Sequence, residues 1–264
     1  MKLNHIYCMD NVEGLRKYVP DESIDLTVTS PPYDNLRKYN GFGWEFESLA
    51  HELYRVTKPG GVVVWVVGDA TINGSETLTS FKQAIYFKEV VGFNVHDTMI
   101  YEKKNPVPIK QNRYQPCFEY MFVFSKGKPR VFNPIEEECK QAGRVNKGRK
   151  QAKNNKRVIF TGDSKPYKET KIKRNIWTYS VGNNVTTTDK IAFQHPAIFP
   201  EKLAEDHIIS WSNPGDIVLD PFMGSGTTAK MAALNGRFFV GFEISPEYVE
   251  ISNKRLEGLK WPKI

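Results

Sequence analysis

Two loops carry the residue types in this chain that could perform chemistry, and the first is Ser30-Pro31-Pro32-Tyr33. It follows a run of strand-forming residues, 24–29. Two adjacent prolines fix both φ angles and supply no backbone donor, so the loop presents outward-facing, unopposed carbonyl acceptors beside a hydroxyl and an aromatic ring. Such a loop suits a flat molecule that carries an amino group. A plain turn after a strand is the alternative interpretation.

The second loop is glycine-rich, covers residues 220–228, and begins 190 positions after Ser30. A predicted strand, 216–219, precedes it and a helical stretch follows, so a ligand could approach bare backbone at a helix N-terminus. The next strand ends in Glu243, where a dinucleotide fold places its ribose-binding carboxylate. A P-loop is excluded because Thr227 stands where that motif requires Lys. A tight turn alone would explain the glycines, but the flanking carboxylates favour a nucleoside site.

Several further motifs lie between these two loops, in one order over most of the chain. They are Asn35-Leu36-Arg37, Lys58-Pro59-Gly60-Gly61, Phe118-Glu119-Tyr120, His195-Pro196-Ala197 and Asn213-Pro214-Gly215-Asp216. With both loops, they make the chain resemble the S-adenosylmethionine-dependent amino-methyltransferases of DNA. The order is the permuted one, in which the catalytic loop precedes the cofactor loop.

The predicted fold is α/β, because at least five strands alternate with helices. The resemblance implies a Rossmann-like methyltransferase sheet of seven mostly parallel strands, with one reversed strand at its edge and helices on both faces. Both loops follow strands, so we expect them to meet at the carboxyl edge of the sheet. The predicted domains are a catalytic part (1–125), a basic target-recognition insert (126–175) and a cofactor-binding part (176–264).

Three local predictions bear on how the sheet is built. A strand is predicted over Val62–Val67, after the Pro-Gly-Gly sequence that ends the preceding helix. One continuous helix is predicted over Leu78–Val91. Val95–Glu102 and Phe118–Ser125 are predicted to be paired edge strands.

The resemblance assigns roles to the residues of both loops. Ser30, Pro31, Pro32 and Tyr33 form the catalytic set: the Ser30 hydroxyl and the Pro31 carbonyl accept from the amino group of a flipped base, and Tyr33 stacks on that base. A helix N-cap is the alternative role for Asp10, and a core position is the alternative for His195. The cofactor-binding set is Asp10, His195, Ala197, Asp220, Phe222, Gly224, Ser225, Gly226, Thr227 and Glu243.

Cys117 needs separate treatment because Pro116-Cys117 is the dipeptide with which cytosine-C5 methyltransferases present a nucleophilic thiolate. Here the cysteine begins an aromatic and apolar run that reads as a sheet strand, and it lacks the catalytic loop position of those enzymes. We therefore predict a buried structural cysteine and no covalent intermediate.

The chain carries a net charge of +7, and all of the excess lies in one segment. Residues 126–175 contain 16 Lys and Arg against 5 Asp and Glu, which leaves 21 basic and 25 acidic residues elsewhere. This segment predicts a surface that neutralises the phosphates of double-stranded DNA; a disordered solubilising insert is the alternative. The predicted DNA-binding residues are Arg144, Lys147, Arg149, Lys150, Lys153, Lys156 and Arg157.

The target base is less well defined than the reaction. In the family, Ser at the first loop position usually accompanies cytosine N4 and Asp usually accompanies adenine N6, so Ser30 favours cytosine with adenine left open. An RNA methyltransferase and a non-catalytic nucleic-acid-binding protein are the other classes considered. Three cysteines without metal spacing predict no metal site and a reducing cytoplasm, and no membrane segment is expected. A homodimer and a companion restriction nuclease are left open.

Overall fold

A computed structural model describes residues 1–32, 44–106, 108, 112–145, 149–151, 157–159, 165–182 and 184–259, with backbone only for 149–151 and 157–159. The chain divides into two compact units. The first comprises Met1–Asn133 and Asn175–Ile264, and the second comprises Pro134–Arg174.

The strands alternate with the helices along the first unit, as the sequence predicts. The helices in the described part of the chain are α1 (Asn11–Tyr18), α2 (Phe46–Val56), α3 (Thr79–Tyr86), α4 (Glu201–Trp211), α5 (Thr227–Leu234) and α6 (Pro246–Leu256), with a π-helical turn at Phe87–Val91 and a 3₁₀ turn at Lys190–Gln194. The strands there are β1 (His5–Cys8), β2 (Ile24–Thr29), β3 (Thr57–Val67), β4 (Thr71–Ile72), β5 (Ser75–Glu76), β6 (Asn94–Lys103), β7 (Phe118–Ser125), β8 (Glu136–Glu138), β9 (Arg149–Gln151), β10 (Arg157–Ile159), β11 (Thr170–Ile172), β12 (Ile176–Tyr179), β13 (Ile217–Asp220) and β14 (Phe238–Glu243).

The main sheet of the first unit has the strand order β1-β14-β13-β2-β3-β7-β6-β12. Every residue of β2 is buried, as expected for a central parallel strand that is covered on both faces. Side chains of α1, α2 and α3 pack with the sheet in one core that includes Leu15, Leu49 and Ala84. α4, α5 and α6 pack against one another and against the sheet.

The mostly parallel α/β sheet agrees with the predicted fold class, but two details differ. The described residues form eight strands in this sheet and not seven, because β12 adds a strand parallel to β6. The reversed strand, β7, lies inside the sheet, antiparallel to both β3 and β6. The prediction that β6 and β7 pair is confirmed, whereas their placement at the edge was wrong. The β12 strand directly follows the basic segment and was not predicted, although its sequence, Ile-Trp-Thr-Tyr, consists of strand-favouring residues.

Two predicted element boundaries also move. β3 begins at Thr57, five residues before the predicted start, because a register shift against β2 between Ile24 and Leu26 accommodates the Pro-Gly-Gly sequence. The predicted Leu78–Val91 helix divides into α3 and the π-helical turn. Both Gly92 and Phe93 donate to the Phe87 carbonyl there, at 3.1 and 3.0 Å, and thereby end the helix.

The second unit consists of short antiparallel pairs in its described part. β8 pairs with β11, and β9 pairs with β10. An ion pair joins Lys171 to Glu137 across the first of these ribbons at 3.0 Å. This unit lies within the predicted insert of residues 126–175, whose role in target recognition stays a prediction. Among the described residues, none of the helices combines the length and the apolar character that crossing a bilayer requires.

Candidate active site

The two loops identified in the sequence follow neighbouring strands. β2 pairs in parallel with β13, with Leu26 opposite Val218 and Thr27 opposite Leu219. At the carboxyl ends of these strands the Thr29 hydroxyl donates to Asp220 Oδ1 at 2.7 Å, although the two residues are 191 positions apart. The first loop begins directly after Thr29 and the second begins at Asp220, so this buried hydrogen bond fixes one loop relative to the other.

The buried Asp220 carboxylate forms hydrogen bonds with residues at the start of both loops. Its Oδ1 also accepts from the Phe222 backbone N–H at 3.0 Å, and the residue is 1% exposed. Burial raises the pKa of the Asp220 carboxyl to about 6, against the opposing effect of hydrogen bonds from Thr29, Phe222 and Thr228. Asp220 itself is not among the residues that line the cavity above it. Asp220 therefore contributes to the cavity through the shape of the loop that follows it.

One cavity of about 860 Å³ contains residues of both loops. Ser30 and Pro32 line it on one side, and Phe222, Gly224 and Glu243 line it on the other. A volume of this size accommodates a nucleoside-sized ligand together with a second planar group. The predicted meeting of the two loops in one cleft agrees with this arrangement.

The catalytic loop differs from its prediction in the role of the prolines. Pro31 is buried and is not part of the cavity lining, whereas the Pro32 carbonyl accepts from Trp44 Nε1 at 3.2 Å. The expectation that both carbonyls are unopposed was therefore wrong for Pro32, because an indole 12 positions away supplies a donor. Tyr33 lies outside the described residues. Within the described part of the chain, no hydrogen bond engages the Ser30 hydroxyl.

Trp44 is a wall of the cavity that sequence reasoning missed. Its ring packs edge-on against Phe222, with centroids 5.0 Å apart, and lies 6.1 Å from Trp65. This contact joins the catalytic side of the cavity to the cofactor loop a second time. A lone tryptophan next to a glycine-rich stretch gave no signal of this role.

Gly224 and Gly226 are required by the path of the cofactor loop. Their φ angles are +51° and +80°, in the left-handed region that L-residues with side chains rarely adopt. A Cβ at Gly224 would lie 3.0 Å from His195 Nε2, and one at Gly226 would lie 3.0 Å from the Ser252 Cβ. The loop therefore lies closely against His195 and α6, and the cavity keeps the space that side chains would fill.

Glu243 braces the cofactor loop and also faces the cavity. Its Oε2 accepts from the Gly224 N–H at 2.8 Å, and its Oε1 accepts from the Ser245 N–H at 2.9 Å. Burial raises the pKa of the Glu243 carboxyl, and these backbone donors act against that increase. Each carboxylate oxygen has a further lone pair, so both can still accept from a diol.

The start of α1 contributes two polar side chains to the cavity. Asp10 is the N-cap of α1 and accepts from the Glu13 N–H at 2.9 Å, which establishes the alternative role considered for it; it also lines the cavity. Asn11 was missed by sequence reasoning. Its amide donates to the Pro221 carbonyl at 3.2 Å, while its buried Oδ1 has no partner among the described residues. Asn11 also lines the cavity, but this oxygen is buried and not exposed to it.

His195 and Ala197 line the same cavity beside the glycine loop. His195 Nδ1 lies 2.7 Å from the Ala197 carbonyl oxygen and 3.1 Å from the Ala197 nitrogen, and these contacts orient the ring. The ring packs edge-on against Tyr248 with centroids 4.3 Å apart. His195 is therefore a well-packed turn residue that also borders the cavity. Tyr248, from α6, also lines the cavity and was not predicted from the sequence.

A buried cation supports the cofactor loop from behind. The Arg255 guanidinium donates to the Ser225 carbonyl at 2.6 Å and to the Thr227 hydroxyl at 3.2 Å. Ion pairs with Asp189 and Glu201, at 3.0 and 2.6 Å, balance its charge. Ser225 and Thr227 line the cavity, so this network holds two predicted cofactor residues in place.

The N6/N4 methyltransferase family model, described as DNA methylase, matches residues 24–254. The chain belongs to this DNA methylase family. It is 58% identical to the orphan methyltransferase M.BamHII of Bacillus amyloliquefaciens over 252 residues, and this alignment covers 92% of each chain. It is 30% identical to the type II methyltransferase M.BglII of Bacillus subtilis, over 97% of this chain and 69% of that one.

Solved structures agree with this membership. The cytosine-N4-specific PvuII DNA methyltransferase superposes with a TM-score of 0.69 at 24% identity, over 97% of this chain and 87% of that one. The complex of M1.HpyAVI with S-adenosylmethionine gives 0.61 at 25% identity, over 96% and 99%. The predicted family, its S-adenosylmethionine-dependent methyltransferase activity on DNA and its cofactor are confirmed. The RNA methyltransferase alternative gains no support, because the family model that matches residues 24–254 is described as DNA methylase.

In this DNA methylase, Cys117 is more exposed than predicted, but its position does not suit a nucleophile. It is half-buried, because it lies just before β7 and not within the strand. Its carbonyl accepts from the Lys103 N–H at 2.7 Å. Its neighbours Pro116 and Phe118 line the cavity, whereas Cys117 does not. Cys8 and Cys139 are likewise free thiols.

The predicted DNA-binding residues fall only partly within the described chain. Arg144 is exposed. Lys147, Lys153 and Lys156 lie outside the described residues. Arg149 and Lys150 belong to the backbone of β9, and Arg157 belongs to that of β10. Their contribution to DNA binding stays a prediction.

Proposed function

We propose that this DNA methylase transfers a methyl group to the exocyclic amino nitrogen of a flipped base in double-stranded DNA, with cytosine N4 as the target. The observation that supports this most directly is the single cavity that Ser30 shares with Gly224 and Glu243. Incubation with labelled methyl donor and either duplex DNA or RNA tests the proposal. We expect label in DNA, and label in RNA alone would contradict it.

The Ser30 hydroxyl has the central role in positioning the base. An amino nitrogen on a base is a poor nucleophile because its lone pair is delocalised into the ring. When acceptors hold its N–H groups, the nitrogen becomes pyramidal and the lone pair turns toward the methyl donor. Ser30 lines the cavity and supplies one such acceptor. The Pro31 carbonyl is proposed as the second acceptor, although Pro31 is buried and does not line the cavity, and the ring of Tyr33 is proposed to stack on the base.

S-adenosylmethionine, when bound, supplies an activated methyl group on a sulfonium. The carboxylate of Glu243 would accept from the ribose hydroxyls. Asp10 would accept from the adenine amino group. His195 and Ala197 would border the methionine end together with the glycine loop. The described residues thus match the polar groups of this molecule at each of its ends.

Glu243→Gln should weaken S-adenosylmethionine binding by about 1.5–3 kcal/mol, because a charge-assisted acceptor for the ribose becomes a neutral amide. Gln keeps one acceptor for the Gly224 N–H but loses the acceptor of the Ser245 N–H, so the folding of the variant is checked first. Calorimetric titration of the folded variant measures the loss. Glu247→Gln, an exposed change in α6, is the matched control and should leave the affinity unchanged. Wild-type affinity in Glu243→Gln would exclude the ribose role.

The basic segment is proposed to bind the DNA backbone. Its positive excess would release counterions from DNA, so affinity should fall steeply with salt. Neutralising Lys147, Arg149, Lys150 and Lys153 together should weaken duplex binding and reduce the slope of log affinity against log salt by about 3–4. Binding measured between low and moderate salt checks this value. An unchanged slope would show that these four residues do not bind DNA phosphates.

Two further expectations follow from a DNA substrate. We place the enzyme in the cytoplasm with the DNA, and we propose that it modifies defined sites as part of a restriction–modification system. Relatives at 58% and 30% identity are named an orphan methyltransferase and a type II methyltransferase, so a companion nuclease stays a prediction, as does a homodimer.

A further inference from the structure

Two charged side chains inside the cavity have no role in the arrangement described so far. Lys103, at the end of β6, and Glu119, in β7, both line the cavity. Lys103 Nζ lies 2.6 Å from Glu119 Oε1, with the two side chains 30% and 13% exposed. The ammonium also lies 5.8 Å from the centroid of the Tyr101 ring, which is almost fully buried. A held ion pair of this kind facing a cavity is a preorganised polar surface.

The sheet order places this pair on the side of the cavity away from the cofactor. The residues proposed to hold S-adenosylmethionine follow β1, β13 and β14, whereas Ser30 follows β2. Beyond β2 the order continues with β3, β7 and β6. Two strand spacings, about 10 Å, therefore separate the Ser30 position from that of Glu119. Gly68, which follows β3 between them, has no side chain and leaves that space to a ligand.

A base whose amino group lies at Ser30, and whose ring points away from the cofactor strands, extends toward this pair. On cytosine, the N3 and O2 acceptors continue along the ring edge from the amino group. On adenine, the corresponding edge presents N1 followed by a C–H. An ammonium has three donors and no acceptor, so it can satisfy both acceptors of cytosine but only one of adenine.

We propose that Lys103, held by Glu119, binds the N3 and O2 edge of the target cytosine and thereby contributes to the choice of base. The inference rests on the proposed amino-methyl transfer. Lys103 is the donor in this scheme, and Glu119 fixes its position and balances its charge. The role differs from that of Ser30, which contacts the reacting nitrogen.

A cycle that combines one substitution with one base analogue tests the contact. The methylated position in treated plasmid DNA supplies the duplex sequence, and single-turnover rates are then measured with cytosine or 2-thiocytosine at that position. For wild type, the weaker sulfur acceptor should reduce the rate about 10-fold. Lys103→Met should be about 10- to 100-fold slower on cytosine, with no further loss on the analogue. Its affinity for S-adenosylmethionine should be that of wild type.

Lys126→Met is the matched control, since Lys126 follows the opposite end of β7 and pairs with Glu22 at 3.1 Å outside the cavity. It should respond to the analogue as wild type does. If Lys103→Met loses a further 10-fold on 2-thiocytosine, as wild type does, the inference is overturned while the amino-methyl transfer stands. N6-methyladenine as the product would have the same consequence. If wild type methylates no DNA amino group, it is the proposed function that fails. Glu119→Gln should retain part of the analogue response, because its amide oxygen still holds Lys103.

Discussion

Ser30→Ala should slow methyl transfer in a single turnover by about 100-fold or more and leave S-adenosylmethionine affinity unchanged. This is the scale on which the loss of one positioned hydrogen-bonding group slows catalysis. Ser30 lines the cavity, and its hydroxyl has no partner among the described residues, so the substitution removes an acceptor without breaking a described contact. Quenched-flow measurement with pre-bound cofactor separates the transfer step from product release.

Cys117→Ser is the control for that experiment, because it alters the one thiol that a covalent mechanism would use. Cys117 does not line the cavity, so the variant should methylate DNA at the wild-type rate. An inactive but folded Cys117→Ser variant, together with an active Ser30→Ala variant, would reverse the mechanism in favour of attack by a thiolate at cytosine C5.

Asp220→Asn should change how the free energy of unfolding depends on pH. Burial raises the pKa of Asp220 from 3.8 to about 6 in the folded protein. Between these values only the native state holds the proton, so the contribution of Asp220 is fully present below about pH 4 and is lost as pH rises through 6. Wild type should therefore lose about 2 kcal/mol relative to the Asn variant between pH 4 and pH 7.

Chemical denaturation of both proteins across this pH range measures the difference. The Asn side chain keeps an acceptor for the Thr29 hydroxyl and the Phe222 N–H, so the loops should remain joined. Asp25→Asn provides a contrast: Asp25 is equally buried but pairs with Lys58 and Arg130, so its neutralisation should destabilise the protein at neutral pH. A wild-type to Asp220→Asn difference that stays constant with pH would contradict the account.

The sequence could predict the fold class and the meeting of the two loops because both depend on local patterns. Strand-forming runs before Ser30 and Asp220 define parallel strands, and parallel strands present their following loops at one edge. Glycines at 224 and 226 likewise indicated a close approach, which the positive φ angles explain. Each of these features depends only on residues that are close together in the sequence.

Other parts of the site depend on contacts between distant segments, which one sequence does not reveal. Trp44 reaches the Pro32 carbonyl across a stretch with no regular pattern, and Arg255 reaches the cofactor loop from the last helix. Lys103 and Glu119 look like ordinary strand residues until the antiparallel pairing of β6 with β7 brings them together. The interior position of β7 also could not be predicted, because the added strand β12 is only four residues long and directly follows the basic segment.

The measurement that tests the central claim most directly is mass spectrometry of nucleosides from duplex DNA treated with the enzyme and S-adenosylmethionine. A cavity that joins the Ser30 loop to the cofactor loop, with no thiol in its described lining, predicts methylation of an amino nitrogen and, with Ser30 and Lys103, N4-methylcytosine. N6-methyladenine would correct the choice of base alone. Detection of 5-methylcytosine, or of unmodified DNA beside methylated RNA, would contradict the account.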